Sequence, residues 1–143
     1  MKKYLLLIVM LVLVFSFGCE EAAKALSTTI SGNVSVDGSP VVGGIVLLLD
    51  YDPTSIPDGL PLSNGMITGV NGNYIIVQVD IGTHMVIAID DVDGSLTYSD
   101  GDRVGYYGTP DPLTGLTLPT PIEITELGED VENIDITDML ELP

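Results

Sequence analysis

The chain has 143 residues, with 4 Lys and Arg against 21 Asp and Glu, a formal net charge of −17. A surface this acidic repels nucleic-acid phosphates and anionic lipid headgroups, which excludes nucleic acid as a partner. One cysteine and one histidine exclude internal disulfides, Cys-rich zinc sites and a thiol nucleophile in a core.

In chain order, the first stretch is MKKYLLLIVMLVLVFSFGC. Lys2 and Lys3 precede a run that is apolar from Leu5 to Phe17 apart from Ser16. That run falls short of the roughly 20 apolar residues of a membrane span and has the length of a secretory signal. Gly18-Cys19 then resembles the lipobox of bacterial lipoproteins, although Ser16 stands where that pattern prefers Leu. The resemblance implies a signal peptide over 1–18 and lipidation of Cys19. The protein would be exported and held at a membrane by its lipid anchor, at the outer membrane or cell surface given Glu20. Removal of the signal leaves Lys24 and Arg103 against all 21 acids, a formal −19. Residues 19–28, polar and Ala-rich, read as a tether, and 29–143 as one domain.

From about Thr28 onward no helical period is visible, and short apolar runs are punctuated by Gly, Pro, Asn and Asp. ISGNVSV alternates, with Ile30, Gly32, Val34 and Val36 on one face. Ile45 to Leu49 is continuously apolar, the pattern of a central strand covered on both sides. TSIPDGLPLSNG reads as a loop. MITGV and NYIIVQVD flank Asn71-Gly72-Asn73, which predicts a hairpin, with Ile75, Val77, Val79 and Ile81 sharing a face. HMVIAID follows, with Met85, Ile87 and Ile89 on one side. After an Asp-rich loop come RVGYYG, a Pro-rich crossing, IEIT and a last strand VENIDIT carrying Ile134 and Ile136. The expectation is an all-β fold, an antiparallel β-sandwich of about seven strands, transthyretin-like or Ig-like.

The segment from Ile30 to Asp90 resembles the carboxypeptidase regulatory-like domain, a transthyretin-like β-sandwich. The matching residues are Ser31-Gly32-Asn33-Val34, then Pro40 and Gly43 before the long apolar strand. Thr68 with Gly72-Asn73-Tyr74, and the turn Gly82-Thr83-His84, complete the match. These are turn and core residues, so the resemblance speaks to fold more than to function. It implies a non-catalytic accessory module and transfers no catalytic residues.

The candidates for chemistry are few. His84 shares a strand face with Val86, Ala88 and Asp90, and no nucleophile motif accompanies it. Tyr106 and Tyr107 are strand neighbours and point opposite ways, which offers one ring as a ligand platform for a glycan or peptide. The loop DDVDGSLTYSDGD is the best candidate. With Asp91 in position 1, Asp93, Ser95, Thr97, Ser99 and Asp102 fall at 3, 5, 7, 9 and 12, the ligand positions of an EF-hand-type calcium loop. The loop departs from that pattern in having Gly94 at position 4 and Leu96 at position 6. The sequence therefore predicts no enzyme. It predicts a structural or protein-interaction module at the cell envelope, with a protein or glycan partner. The alternative is a calcium-stabilised ligand-binding module.

Overall fold

The computed structural model describes residues 28–51, 62–95, 97, 99–114, 117–141 and 143. The expected signal peptide, Cys19 and all of the tether except Thr28 lie outside them, as does most of the Pro-rich loop before Leu62.

Among the described residues there is no helix, and the short apolar runs form thirteen strands. They are β1 (Thr29–Asn33), β2 (Ser35–Val36), β3 (Ser39–Pro40), β4 (Ile45–Asp50), β5 (Leu62–Ile67), β6 (Asn73–Val77) and β7 (Gly82–Asp90). Then follow β8 (Arg103–Tyr106), β9 (Gly108–Pro110), β10 (Thr117–Pro119), β11 (Ile122–Ile124), β12 (Asp130–Val131) and β13 (Met139–Glu141). One layer has the order β12-β1-β6. The other runs β13-β8-β7-β4-β5, with β11 also paired to β7. The result is the expected all-β sandwich, antiparallel except where β12 runs parallel to β1 and Ile136 bridges Val34.

β7 is long enough to hold two partners along one edge. Ile87–Asp90 pair with β8, and Gly82–His84 pair with β11. Between them the chain leaves the sheet at Gly108 and builds the β9–β10 ribbon, and Thr120 N returns to Tyr107 O at 2.9 Å. Two further departures separate the strands from the seven expected. VENIDIT forms β12 only at its start. Its Ile134 and Ile136 are buried, but Ile134 N and Ile136 N bond to Ser31 O and Asn33 O in an irregular run. The final strand is β13, which pairs with β8.

The core lies between the layers. Ile30, Val34, Val46, Leu48, Ile76, Val86, Ile124 and Ile136 are all but fully buried. Each such aliphatic side chain contributes about 1.5–3 kcal/mol relative to exposure. β4 is central, as its apolar run predicts, with Val46 and Leu48 facing the core and Ile45, Leu47 and Leu49 half-buried on the other face.

One face assignment is corrected. In β6 the buried residues are Tyr74 and Ile76, while Ile75 and Val77 are exposed. Gln78, at φ 59, then breaks the alternation and turns Val79 inward, leaving Ile81 exposed. In β7 Met85, Ile87 and Ile89 do share one side, Met85 buried and the other two half-buried, while the core face is His84, Val86 and Ala88. Both faces of each strand are apolar, so period alone did not select the inner one.

The expected hairpin is opened into a corner. β5 pairs with β4 and β6 with β1, so the two strands belong to different layers. Near the turn Gly69 N still bonds Asn73 O at 2.9 Å, and farther out the Asn64 side chain spans the gap, to Val77 O at 2.6 Å.

Buried polar groups tie irregular segments to the strands. Thr68 Oγ1 donates to Val41 O (2.6 Å) and accepts from Gly44 N (2.9 Å), linking β5 to the approach to β4. The Tyr74 hydroxyl donates to Ile134 O at 2.6 Å. Burial, with the nearby Asp135 charge second, pushes its pKa well above the ordinary 10.0. The same carbonyl crosses Gly32 so closely that a Cβ there would sit 2.0 Å from Ile134 O. Only glycine fits that crossing.

Candidate functional site

The Asp-rich loop joins β7 to β8, and the Asp90–Arg103 cross-strand pair closes its base through a salt bridge. Asp102, 1% exposed, organises the loop from within. Its Oδ1 accepts Val92 N at 3.0 Å, and its Oδ2 accepts Ser99 N at 2.8 Å and Ser99 Oγ at 3.1 Å. One buried carboxylate thus gathers both limbs of the loop. Gly94, at position 4, takes a left-handed conformation with φ +69. It lies in an Asx turn in which Ser95 N donates to Asp93 Oδ1 at 2.9 Å, with Asp91 Oδ1 also within reach at 3.1 Å. The Ser95 hydroxyl and N–H together hold the Asp93 carboxyl below its usual pKa.

This closure brings Asp91, Asp93 and Asp102 together. One carboxylate oxygen from each lies within 4.8 Å of the other two. Calcium with oxygens at about 2.4 Å spans about 4.8 Å between opposite ligands, so three oxygens this close can share one ion. Ser99 Oγ lies beside them, 3.4 Å from Asp93 Oδ2. Ser95 and Thr97 are different: their hydroxyls bond each other at 2.9 Å, and the Ser95 amide donates to both Asp93 and Asp91. Of the six spaced positions, the fold gathers Asp91, Asp93, Ser99 and Asp102 and engages Ser95 and Thr97 with each other. Leu96, in the turn position of the spacing, lies outside the described residues.

His84 is a core residue, 2% exposed. Its Nε2 meets Asp80 O at 2.9 Å. Its Nδ1 is 3.1 Å from Asp50 Oδ1, outside hydrogen-bonding geometry. The neighbouring tyrosines divide as strand geometry requires. Tyr107 packs against the core, while Tyr106 lines a cleft of about 140 Å³ with Val104, Gly105, Thr117, Asp138 and Leu140. Thr117 Oγ1 donates to Asp138 Oδ2 at 2.5 Å in that cleft. Sequence reading passed over Thr117 and Asp138: they stand 21 positions apart, and no spacing rule links them.

No protein-family model matches the chain, and no curated protein matches it. Among solved structures, an (S)-allantoin synthase is similar at 12% identity and a TM-score of 0.42, over 80% of this chain and 43% of that one. A 9R-lipoxygenase from Cyanothece PCC8801 is similar at 10% identity and a TM-score of 0.35, over 78% of this chain and 17% of that one. The chain therefore spans less than half the length of either.

Proposed function

We propose that the protein is a non-catalytic β-sandwich module of the carboxypeptidase regulatory-like kind, held at the bacterial cell envelope by a lipid on Cys19. There it serves as a structural or protein-interaction domain. The observation that carries this reading is the work done by the residues of the family resemblance. Gly32 admits the Ile134 carbonyl, Tyr74 bonds it, and Thr68 joins Val41 to Gly44. These contacts hold the sandwich together; Gly32 and Tyr74 also border an open depression of about 340 Å³ shared with Asn33, Asn73, Glu132 and Asp135. Two experiments test it. Cys19→Ser should move the protein from the membrane to the soluble fraction; retention at the membrane would refute the lipid anchor. Hydrolysis of any ester, peptide or glycoside that disappears in His84→Ala would refute the non-catalytic assignment.

The meeting of Asp91, Asp93 and Asp102 favours a second reading, a calcium-stabilised module that binds a glycan or peptide. Extracellular calcium modules bind at ~10⁻⁴–10⁻³ M. Calcium at tens of times that constant should raise the thermal midpoint over a chelated sample by mass action, by about 2 kcal/mol of stability. Asp91→Asn with Asp93→Asn should abolish the rise. An unchanged midpoint at saturating calcium removes this reading.

A further inference from the structure

The β9–β10 excursion does more than connect β8 to β11. In β8, Gly105 faces the core, where a Cβ would meet Ile136 Cγ2 at 2.9 Å. Val104 and Tyr106 therefore project from the opposite, outer face of the sheet. Leu140 pairs with Val104 and shares that face. Thr117, from β10, stands over them, and the space enclosed is the cleft of about 140 Å³. A cavity of about 150 Å³ accommodates benzene, so a four-carbon chain fits a space of this size. The walls are the aliphatic side chains of Val104 and Leu140 and the Tyr106 ring. One end is polar, formed by the half-buried Asp138 carboxylate with Thr117 on its Oδ2. The ion pairs among the described residues are Asp90–Arg103 and the Asp50–His84 approach, and neither includes Asp138.

We propose that this cleft receives a lysine side chain from a basic partner protein. The inference rests on the interaction-module reading and names the chemistry of the partner. A lysine matches each part of the cleft. Its alkyl stem covers Val104 and Leu140, and its ammonium reaches Asp138 while lying beside the face-rich Tyr106 ring. A carboxylate has about four acceptor positions and Thr117 takes one, leaving room for a compact three-donor head. An arginine fork wants both carboxylate oxygens in parallel, and Thr117 already engages one of them. A net charge of −17 draws basic partners from a distance and repels acidic ones.

The probe is n-butylammonium chloride, titrated into the full chain with labelled Val and Leu methyl groups. The Val104 and Leu140 resonances should shift saturably, while those of Val46 and Leu48 in the core stay fixed. n-Butanol, which lacks the charge, should bind at least roughly tenfold more weakly, as should n-butylammonium to Asp138→Asn. If Asp138→Asn disturbs the core resonances, Tyr106→Leu replaces it, with a several-fold loss expected. Equal binding of n-butanol, undiminished binding by the variant, or no saturable shift would overturn the proposal. A partner captured by the full chain and not displaced by saturating n-butylammonium would also overturn it, and would leave the interaction-module reading standing.

Discussion

Replacing Tyr74 by Phe removes a single oxygen from the inside of the sandwich. That oxygen donates to Ile134 O at 2.6 Å, and Tyr74 is 3% exposed. The lost bond contributes about 0.5–1.5 kcal/mol net, and a buried carbonyl left without its donor raises the cost to about 1–3 kcal/mol. With a urea m-value of ~1–3 kcal/mol/M, the unfolding midpoint at neutral pH should fall by about 1 M. Alkaline pH adds a sharper test. The folded protein holds the Tyr74 proton well above the ordinary 10.0, so the unfolded chain releases it first. Stability from this residue is complete below pH 10 and declines as pH rises toward the raised folded value. The decline is about 1.4 kcal/mol per pH unit. Tyr74→Phe lacks this loss, so the stability gap between parent and variant should narrow by about that amount between pH 7 and 11, most of it above pH 10. Urea titrations monitored by circular dichroism at pH 7, 10 and 11 read it directly. A gap that is unchanged from pH 7 to pH 11, or a variant as stable as the parent at pH 7, would refute the buried hydrogen bond as the cause.

Other predictions follow from single contacts. Gly32→Ala drives a Cβ into the Ile134 carbonyl, backbone against backbone, and should cost more than about 3 kcal/mol or prevent folding, seen as a lowered or absent thermal transition. Leu48→Ala empties a fully buried position in β4 and should lower stability by about 2–5 kcal/mol in denaturant unfolding. Asp102→Ala frees Val92 N and Ser99 N together, and should cost about 2 kcal/mol while speeding hydrogen exchange at those two amides ahead of the core strands. The lowered Asp93 pKa makes its support of the Ser95 turn complete above the ordinary 3.8, and lost as pH falls through the lower folded value. The Ser95 amide resonance should follow that titration, and in Asp93→Asn it should not.

The fold class was legible because it depends on local signals. Alternation in ISGNVSV, the unbroken run Ile45–Leu49, and Gly, Pro and Asn at the turns each select a strand or a turn from a few neighbouring residues. The inner face was not legible where both faces are apolar. NYIIVQVD offers Tyr74 and Ile76 against Ile75 and Val77, and pairing with β1 together with the left-handed Gln78 made the choice. The hairpin was read correctly as a turn and incorrectly as a ladder. Asn71-Gly72-Asn73 reverses the chain, but Leu62–Ile67 pairs with β4 while β6 pairs with β1.

The candidate site divides in the same way. Spacing alone placed Asp91, Asp93, Ser99 and Asp102 in one loop, because twelve residues between two antiparallel strands must close on themselves. That Asp102 would lie beneath the loop holding Val92 and Ser99, and that the Ser95 amide would donate to Asp93, followed from the Asp90–Arg103 register and the left-handed Gly94. The cleft beside Tyr106 was beyond any reading of the chain. Asp138 and Thr117 meet only because β13 pairs with β8 while β10 folds back over them. Local composition sets which residues form strands and turns. Contacts between residues distant in sequence depend on sheet pairing, and pairing is a property of the whole packed core.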